Sequence, residues 1–315
     1  MPGRGRTWVA TPARGIVLLL AGSLACAGPD AGGIGARRSP RPVVRIIGSD
    51  TMVNLIQAWA EEYRHVRPDV IVQVAGGGSG VGIAGLIDGT LDLAAASREI
   101  RPTEKERARL TRGIEPREVT VARDALAVYV HKDNPLPGIS LHGLAEIYGE
   151  HGTIVRWSQL GVRPAGCASD AIIRIGRQNN SGTFAYFRDV VLGRAREYRM
   201  GSIDQSGSKD VVALVARTPC AIGYSGLAFA TPEVRPLAII SERGAAVSPS
   251  ESAVRDGSYP LARPLYLYAA QRNQPADAFL EWTLSPAGQH IARDLGFVAV
   301  EESVPAAAAA RGNGR

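Results

Sequence analysis

The sequence predicts an α/β protein of two lobes, each a mostly parallel sheet flanked by helices. Apolar runs typical of buried strands alternate with segments whose apolar residues recur at helical spacing. The chain has 315 residues and is 45% hydrophobic, which allows a large core and favours two lobes over one. Apolar segments at 118–130 and 265–268 can each run from one lobe into the other, so the lobes are expected to share a two-strand hinge.

In the first lobe, strands alternate with helices that begin at turns rich in small residues. Strands are predicted at 43–47, 70–75 and 91–96. A helix follows the first strand and continues to Pro68, and a weaker helix follows a run of glycines after the second. Thr103 and Glu106 have the spacing of a capping box, which predicts a helix that ends at Gly113. The long strand at 118–130 is expected to break at Arg123-Asp124.

The second lobe shows the same alternation. Ser140 is expected to cap a short helix that ends at Gly149, and a strand is predicted at 171–175. Further elements are a helix from Gly207-Ser208, a strand at 221–224, surface connections over 231–258, and two C-terminal helices opened by Pro275 and Ser285-Pro286.

Three strands end in turns that carry hydroxyl groups and open helices. These turns contain Ser49 to Thr51, Ser79 and Ser181 to Thr183. The first amides of a helix lack intrahelical acceptors and carry positive partial charge, so such turns bind anions. Arg177 precedes Ser181 by four residues and can add a bidentate grip on an oxyanion. Each turn taken alone is equally compatible with ordinary helix capping.

Composition excludes several classes of function. The net charge is +6, but residues 1–42 carry +5 and residues 301–315 carry none, so the body from 43 to 300 carries only +1. A nearly neutral body argues against nucleic-acid binding. Gly80-x-Gly82-x-x-Gly85 formally matches a dinucleotide fingerprint, but no acidic ribose partner ends the following strand. The histidines and cysteines lack metal-ligand spacing, so neither metal nor cofactor is expected.

The N-terminus has the pattern of an export signal over residues 1–27, with arginines before a short apolar run and then small residues. Cys26 is the candidate for lipid attachment, with ordinary signal cleavage as the alternative. Residues 28–42 would form a tether and 301–315 a disordered tail. These patterns predict a periplasmic or extracytoplasmic protein, anchored to the membrane if Cys26 is modified. Residues 43–125 with 262–300 are assigned to lobe I and 126–261 to lobe II.

Cys167 and Cys220 are the remaining cysteines, and each precedes a predicted strand. Export makes a disulfide between them possible, and two small buried thiols are the alternative. The sequence leaves both readings open.

The order and spacing of the short motifs resemble the phosphate-binding component of ABC phosphate importers, a group of type II periplasmic binding proteins. The resemblance covers about residues 43–300. It is carried by Gly48-Ser49-Asp50-Thr51-Met52, Gly76-Gly77-Gly78-Ser79-Gly80, Ala96-Ser97-Arg98, Arg177 with Ser181-Gly182-Thr183, and Ala221-Ile222-Gly223-Tyr224.

The resemblance implies a hinged, monomeric, non-catalytic receptor that closes on inorganic phosphate and delivers it to membrane permease subunits. It implies ligand roles for residues of both lobes, namely Ser49, Asp50, Thr51, Ser79, Gly80, Ser97, Arg98, Arg177, Ser181, Gly182 and Thr183.

One position departs from the family pattern. Many members have an aspartate where this chain has Ser97, and that carboxylate accepts a hydrogen bond from a protonated anion. Asp50 or Asp124 is a candidate substitute acceptor. Three alternatives therefore stay open: a receptor for sulfate, molybdate or another oxyanion, a phosphate-sensing lipoprotein, and a secreted serine hydrolase that uses Ser181 or Ser79.

Overall fold

A computed structural model describes residues 40–241, 244–270 and 272–300. The export signal with Cys26, nearly all of the tether and the C-terminal tail lie outside these residues.

One continuous sheet runs through the molecule in the order β2-β1-β3-β12-β4-β8-β6-β7. Its first half consists of parallel strands β1 (Val43–Gly48), β2 (Ile71–Ala75) and β3 (Leu93–Ala96), followed by β12 (Ala262–Ala269), which is antiparallel to β3 and to β4 (Arg117–His131). We call this half lobe I.

The second half, lobe II, begins where β4 changes its neighbour. Residues 117–125 of β4 pair with β12, whereas residues 126–130 pair with β8 (Ala221–Gly226). Strands β6 (Ile173–Arg177) and β7 (Ile203–Gln205) continue the sheet in parallel with β8. Strand β4 therefore belongs to both halves and β12 lies beside it, which confirms the predicted hinge of two strands.

A second, three-stranded sheet covers part of lobe II. It consists of β5 (Gly138–Ser140), β10 (Ala238–Ile240) and β11 (Ala246–Val247), while β9 (Val234–Pro236) pairs with the end of β4. The sequence analysis assigned 231–258 to surface connections, and this was wrong. The strands are two or three residues long, too short for an alternating pattern to show.

Nine α-helices flank the sheet in the described residues. They are α1 (Val53–Val66), α2 (Ser79–Asp88), α3 (Pro102–Arg112), α4 (Leu141–Tyr148), α5 (Gly182–Phe187), α6 (Ser208–Ala216), α7 (Glu251–Arg255), α8 (Gln274–Thr283) and α9 (Pro286–Asp294). Within these residues, none of the helices has the length and apolar content needed to traverse a bilayer.

Separate apolar cores support the two halves. In lobe I, the fully buried Trp59 of α1 packs in one cluster with Phe279 of α8. In lobe II, Trp157 and Tyr148 are fully buried, and the Tyr148 hydroxyl donates to the carbonyls of Ile175 and Ile222. Each sheet half is thus fixed by its own packing, which leaves the two hinge strands as the covalent link between them.

Two local predictions in lobe I were wrong. Helix α3 begins two residues earlier than expected, because the Glu104 carboxylate accepts from the Arg101 amide, and Thr103 lies inside the helix. Strand β4 is unbroken at Arg123-Asp124, since β12 pairs with both residues and Arg123 also bridges to Val298.

Cys167 and Cys220 form a disulfide, with their Cα atoms 5.1 Å apart. Cys220 immediately precedes β8, but Cys167 lies in a loop rather than at the start of a strand, contrary to expectation. The bond ties that loop to the edge of the lobe II core.

Replacing both cysteines, as in Cys167→Ser with Cys220→Ser, should lower the free energy of unfolding. The bond closes a loop with a sequence separation of 53 residues. A loop of this size gives an expected loss of about 2–4 kcal/mol. Urea denaturation measures this loss. Reductant should destabilise the parent protein and leave the double variant unaffected, and equal midpoints for both proteins would contradict the prediction.

Candidate functional site

Three hydroxyl groups of lobe I meet at one edge of the sheet. Ser49 follows β1, Ser79 opens α2 and Ser97 follows β3. Because parallel strands end at the same edge, the turns after them come together. The Ser49 hydroxyl donates to the Ser97 hydroxyl over 2.9 Å, and the Ser97 amide donates to the Ser79 hydroxyl over 3.1 Å. All three residues are buried.

Lobe II brings two further hydroxyls against Thr51 of lobe I. The Thr51 Oγ1 atom lies 3.1 Å from Oγ1 of Thr183, in the first turn of α5, and 3.3 Å from Oγ of Ser208, the first residue of α6. These residues are at most 2% exposed, so the contact between lobes is shielded from bulk solvent. Ser208 was predicted to open a helix but was not assigned to the site.

Arg177, at the end of β6, is the first of two buried guanidinium groups. Its Nη1 donates to the Ser208 hydroxyl over 3.0 Å, and its Nη2 donates to the Asp50 carboxylate of lobe I over 3.1 Å. It is also held by the backbone carbonyls of Gln205 and Ser206. Burial lowers the pKa of Arg177, and Asp50 opposes this shift. An arginine remains charged under these conditions.

Arg263 of β12 is the second guanidinium, and the sequence analysis missed it. Its Nη1 donates to Thr183 Oγ1 over 3.0 Å and its Nη2 approaches Thr51 Oγ1 at 3.4 Å, so it contacts both lobes. Its Nε and Nη2 donate to one oxygen of Asp124 on β4, at 3.0 and 2.8 Å. We call the eight residues of this region the interlobe cluster: Ser49, Thr51, Ser79, Ser97, Arg177, Thr183, Ser208 and Arg263.

Asp124 balances the charge of Arg263 from behind the cluster. Burial raises the pKa of the Asp124 carboxyl, and the adjacent guanidinium partly offsets this effect. Among the described residues, the second carboxylate oxygen has no hydrogen-bond partner. The Leu227 amide lies near enough to favour the ionised form, but it does not have hydrogen-bond geometry. Because only one of its oxygens accepts hydrogen bonds, the buried Asp124 carboxylate depends strongly on Arg263 for its stabilisation.

Three residues expected to contact ligand have other partners. The Ser181 hydroxyl accepts from the Thr183 amide and caps α5. The Gly80 amide donates to the Asn180 carbonyl of lobe II over 3.0 Å. Both terminal nitrogens of Arg98 donate to Glu104, which lies outside the cluster. Whether any of them touches ligand stays a prediction, but the geometry gives each a structural task.

Gly182 and Asp50 complete the contact between lobes. A Cβ atom at Gly182 would overlap the hydroxyls of Ser79 and Ser97, so a glycine is needed for this close approach. Asp50 accepts from the Gly77 amide over 2.9 Å as well as from Arg177. Thr51, Ser79 and Thr183, from three distant segments, therefore share one buried centre.

The chemistry of this centre suits a small oxyanion. Six hydroxyls and two guanidinium groups can donate hydrogen bonds, and α1, α2 and α6 all begin beside it. In the part of the chain that the structure describes, no group of three or more His, Cys, Asp or Glu side chains could hold a metal ion.

Comparison with known families gives this arrangement a context. The model of the PBP superfamily domain matches residues 32–287. The chain is also 34% identical over 270 residues to phosphate-binding protein PstS of Pseudomonas aeruginosa, covering 82% of this chain and 83% of that protein. The chain belongs to the PBP superfamily, in the family of the PstS proteins.

Other relatives support the same family and fold. The protein is 30% identical over 282 residues to protein SphX of Synechococcus elongatus, covering 86% of this chain and 81% of that one. Its fold matches a structure from Clostridium perfringens, provisionally named a phosphate ABC transporter substrate-binding protein and solved with bound phosphate. That match has a TM-score of 0.73 and 28% identity, covering 82% of this chain and all of that one. These matches confirm the family and the two-lobed fold expected from the sequence.

Breaking the Arg263–Asp124 pair should be strongly destabilising. Arg263→Met leaves a buried, unpaired carboxylate, and the expected loss is about 3–5 kcal/mol in the free energy of unfolding. Adding Asp124→Asn should recover part of that loss, because neither member of the former pair then carries a charge. Chemical denaturation of both variants measures the difference, and a double variant no more stable than Arg263→Met alone would contradict it.

Proposed function

We propose that this protein is an extracytoplasmic receptor that binds inorganic phosphate between its lobes and delivers it to the membrane subunits of an ABC importer. One observation carries the proposal: the interlobe cluster joins hydroxyls of both lobes to two buried arginines in a member of the PstS family. Phosphate is the ligand named for the Pseudomonas aeruginosa relative and present in the Clostridium perfringens structure.

Electrostatics supports a charged ligand of this kind. Removing a dianion from water is unfavourable unless fixed donors replace its hydration shell. Burial is the main reason that the pKa of Arg177 is lowered, and the positive charge of Arg263 lowers it further, so the two guanidinium groups repel each other. An anion in contact with both would relieve that repulsion. The hydroxyls add donors without adding charge, so the site can hold the anion in a dry environment.

Ligand binding would be coupled to closure of the lobes. Thr51 comes from lobe I, Thr183 and Ser208 come from lobe II, and Arg263 lies on a hinge strand. An anion that contacts all four can do so only when the lobes are together. Its binding energy therefore favours the closed state over an open one, which is the requirement for a ligand-dependent signal to a permease.

The proposal includes a location outside the cytoplasm and no catalysis. The export pattern of residues 1–27 and the candidate lipid site Cys26 support the location. Nucleophilic catalysis by serine needs an adjacent base. In the described residues, the Ser181 hydroxyl bonds to a backbone amide and the Ser79 hydroxyl bonds to Ser97. Neither contact provides a base, so a serine hydrolase is the weaker hypothesis.

A receptor for another oxyanion is a second candidate, and Ser97 is the residue that favours it. A serine hydroxyl can donate as well as accept, so it does not require a protonated ligand. Asp50 lies between Ser49 and Thr51 in the chain, and its two oxygens accept from the Gly77 amide and from Arg177. Asp124 lies behind Arg263.

Arg177→Ala should weaken phosphate binding by about 2–5 kcal/mol, because it removes a buried charged partner of the ligand. Calorimetric titration of protein stripped of ligand measures the effect. Arg174→Ala is the matched control: Arg174 lies on the same strand, but its guanidinium donates to the Met200 carbonyl outside the cluster. Equal affinities for the two variants would show that Arg177 does not contact the ligand. A parent protein that gives no heat with phosphate would refute the proposal itself.

Competition with sulfate separates the two candidates. If phosphate is the ligand, sulfate at large excess should leave most of the phosphate heat intact, because phosphate carries a proton that a carboxylate such as Asp50 can accept, whereas sulfate carries none and would be repelled by the carboxylate. Sulfate that displaces phosphate at comparable concentration would instead indicate a general oxyanion receptor. Molybdate, titrated in the same way, provides a further comparison.

A further inference from the structure

Asn180 joins the two lobes through both of its polar ends. It lies in the lobe II loop between β6 and α5. Its side-chain amide donates to the Gly77 carbonyl of lobe I over 2.9 Å, and its backbone carbonyl accepts from the Gly80 amide over 3.0 Å. We call these two hydrogen bonds the Asn180 contact. Neither bond involves a member of the interlobe cluster.

The lobe I surface is shaped to receive this residue. Gly78 has a φ of +92°, and a Cβ atom there would lie 2.6 Å from the Asn180 carbonyl oxygen and 3.1 Å from its Cγ. A side chain at this position would therefore prevent the approach. Gly80 is in the first turn of α2, where amides have no intrahelical acceptor, so the Asn180 carbonyl satisfies a donor that the helix itself leaves open.

We propose that Asn180 is a positioning residue that holds the lobes closed and sets the rate at which phosphate leaves. This inference depends on the proposed function for its ligand, but not for its geometry. The Asn180 contact exists only when the lobes are together, so it stabilises the closed state whether or not an anion is bound. Loss of the contact should accelerate opening, and hence release, more than it slows capture.

The experiment compares Asn180→Ala and Asn180→Asp with Asn179→Ala and Asn179→Asp. Asn179 is the exposed neighbour in the same loop, and its side chain makes no hydrogen bond among the described residues. Asn180→Ala removes only the bond to Gly77. Asn180→Asp keeps the shape but cannot donate, and it places a negative charge against a carbonyl. The Asn179→Asp variant controls for the effect of that charge on the incoming anion.

Release of radiolabelled phosphate, chased with excess unlabelled phosphate, gives the dissociation rate. Asn180→Ala should release phosphate about fivefold faster than Asn179→Ala, as expected for one net hydrogen bond. The association rate should change by less than about twofold. Asn180→Asp should release faster still. Equal dissociation rates for the alanine variants at positions 179 and 180 would overturn the proposal.

Small-angle X-ray scattering without phosphate provides a second test that does not need the ligand. The Asn180 variants should have a larger radius of gyration than the Asn179 variants, because fewer molecules are closed. Equal radii would overturn the inference, even if phosphate binds. If the parent protein fails to bind phosphate but the Asn180 variants still have a larger radius than the Asn179 variants, the proposed function is refuted and the role of Asn180 is supported. Thermal unfolding confirms that each variant is folded.

Discussion

The ion pair between Arg263 and Asp124 is the interaction on which the rest of the site depends. Both side chains are at most 1% exposed, and they join the two hinge strands, β12 and β4, at the point where the sheet passes from one half to the other. A buried guanidinium must be paired with an anion and must have its donors satisfied. Asp124 supplies the charge, and the remaining donors are directed at Thr51 and Thr183. The requirement to satisfy one arginine thus helps to place hydroxyls of both lobes.

Arg177 works in a different way. It is held by carbonyls of its own lobe and by Ser208, and it reaches across to Asp50. Arg263 therefore places its charge on a hinge strand, whereas Arg177 is carried by lobe II and extends its charge to Asp50 of lobe I. Tyr186 covers the Arg263 guanidinium at 5.6 Å, and burial raises the pKa of this tyrosine to about 12, so the covering ring remains neutral. The two arginines thus belong to one site, but Arg263 lies on a hinge strand and Arg177 lies on a strand of lobe II.

Local patterns and the family resemblance were enough to predict most of the fold and six of the eight cluster residues, all but Ser208 and Arg263. Ser49, Thr51, Ser79 and Thr183 were found because a hydroxyl in a turn between strand and helix is a short-range signal. Arg263 was missed because its role depends on β12 lying between β3 and β4, which pairs segments more than 130 residues apart. The sequence signal that could have identified Arg263 is its position as a charged residue inside the apolar run that precedes Leu265. Arg98 was also assigned to the site, and the structure adds that Glu104, only six residues later, pairs with its guanidinium.

The position of β12 also has a consequence for biosynthesis. Among the strands of the described residues, β12 is synthesised after all the others, yet it fills the centre of the sheet, between β3 and β4. The strands of lobe II, from β5 to β11, are all synthesised before it and pair with one another or with β4. Lobe II can therefore assemble early, whereas the lobe I sheet is incomplete between β3 and β4 until β12 has been synthesised.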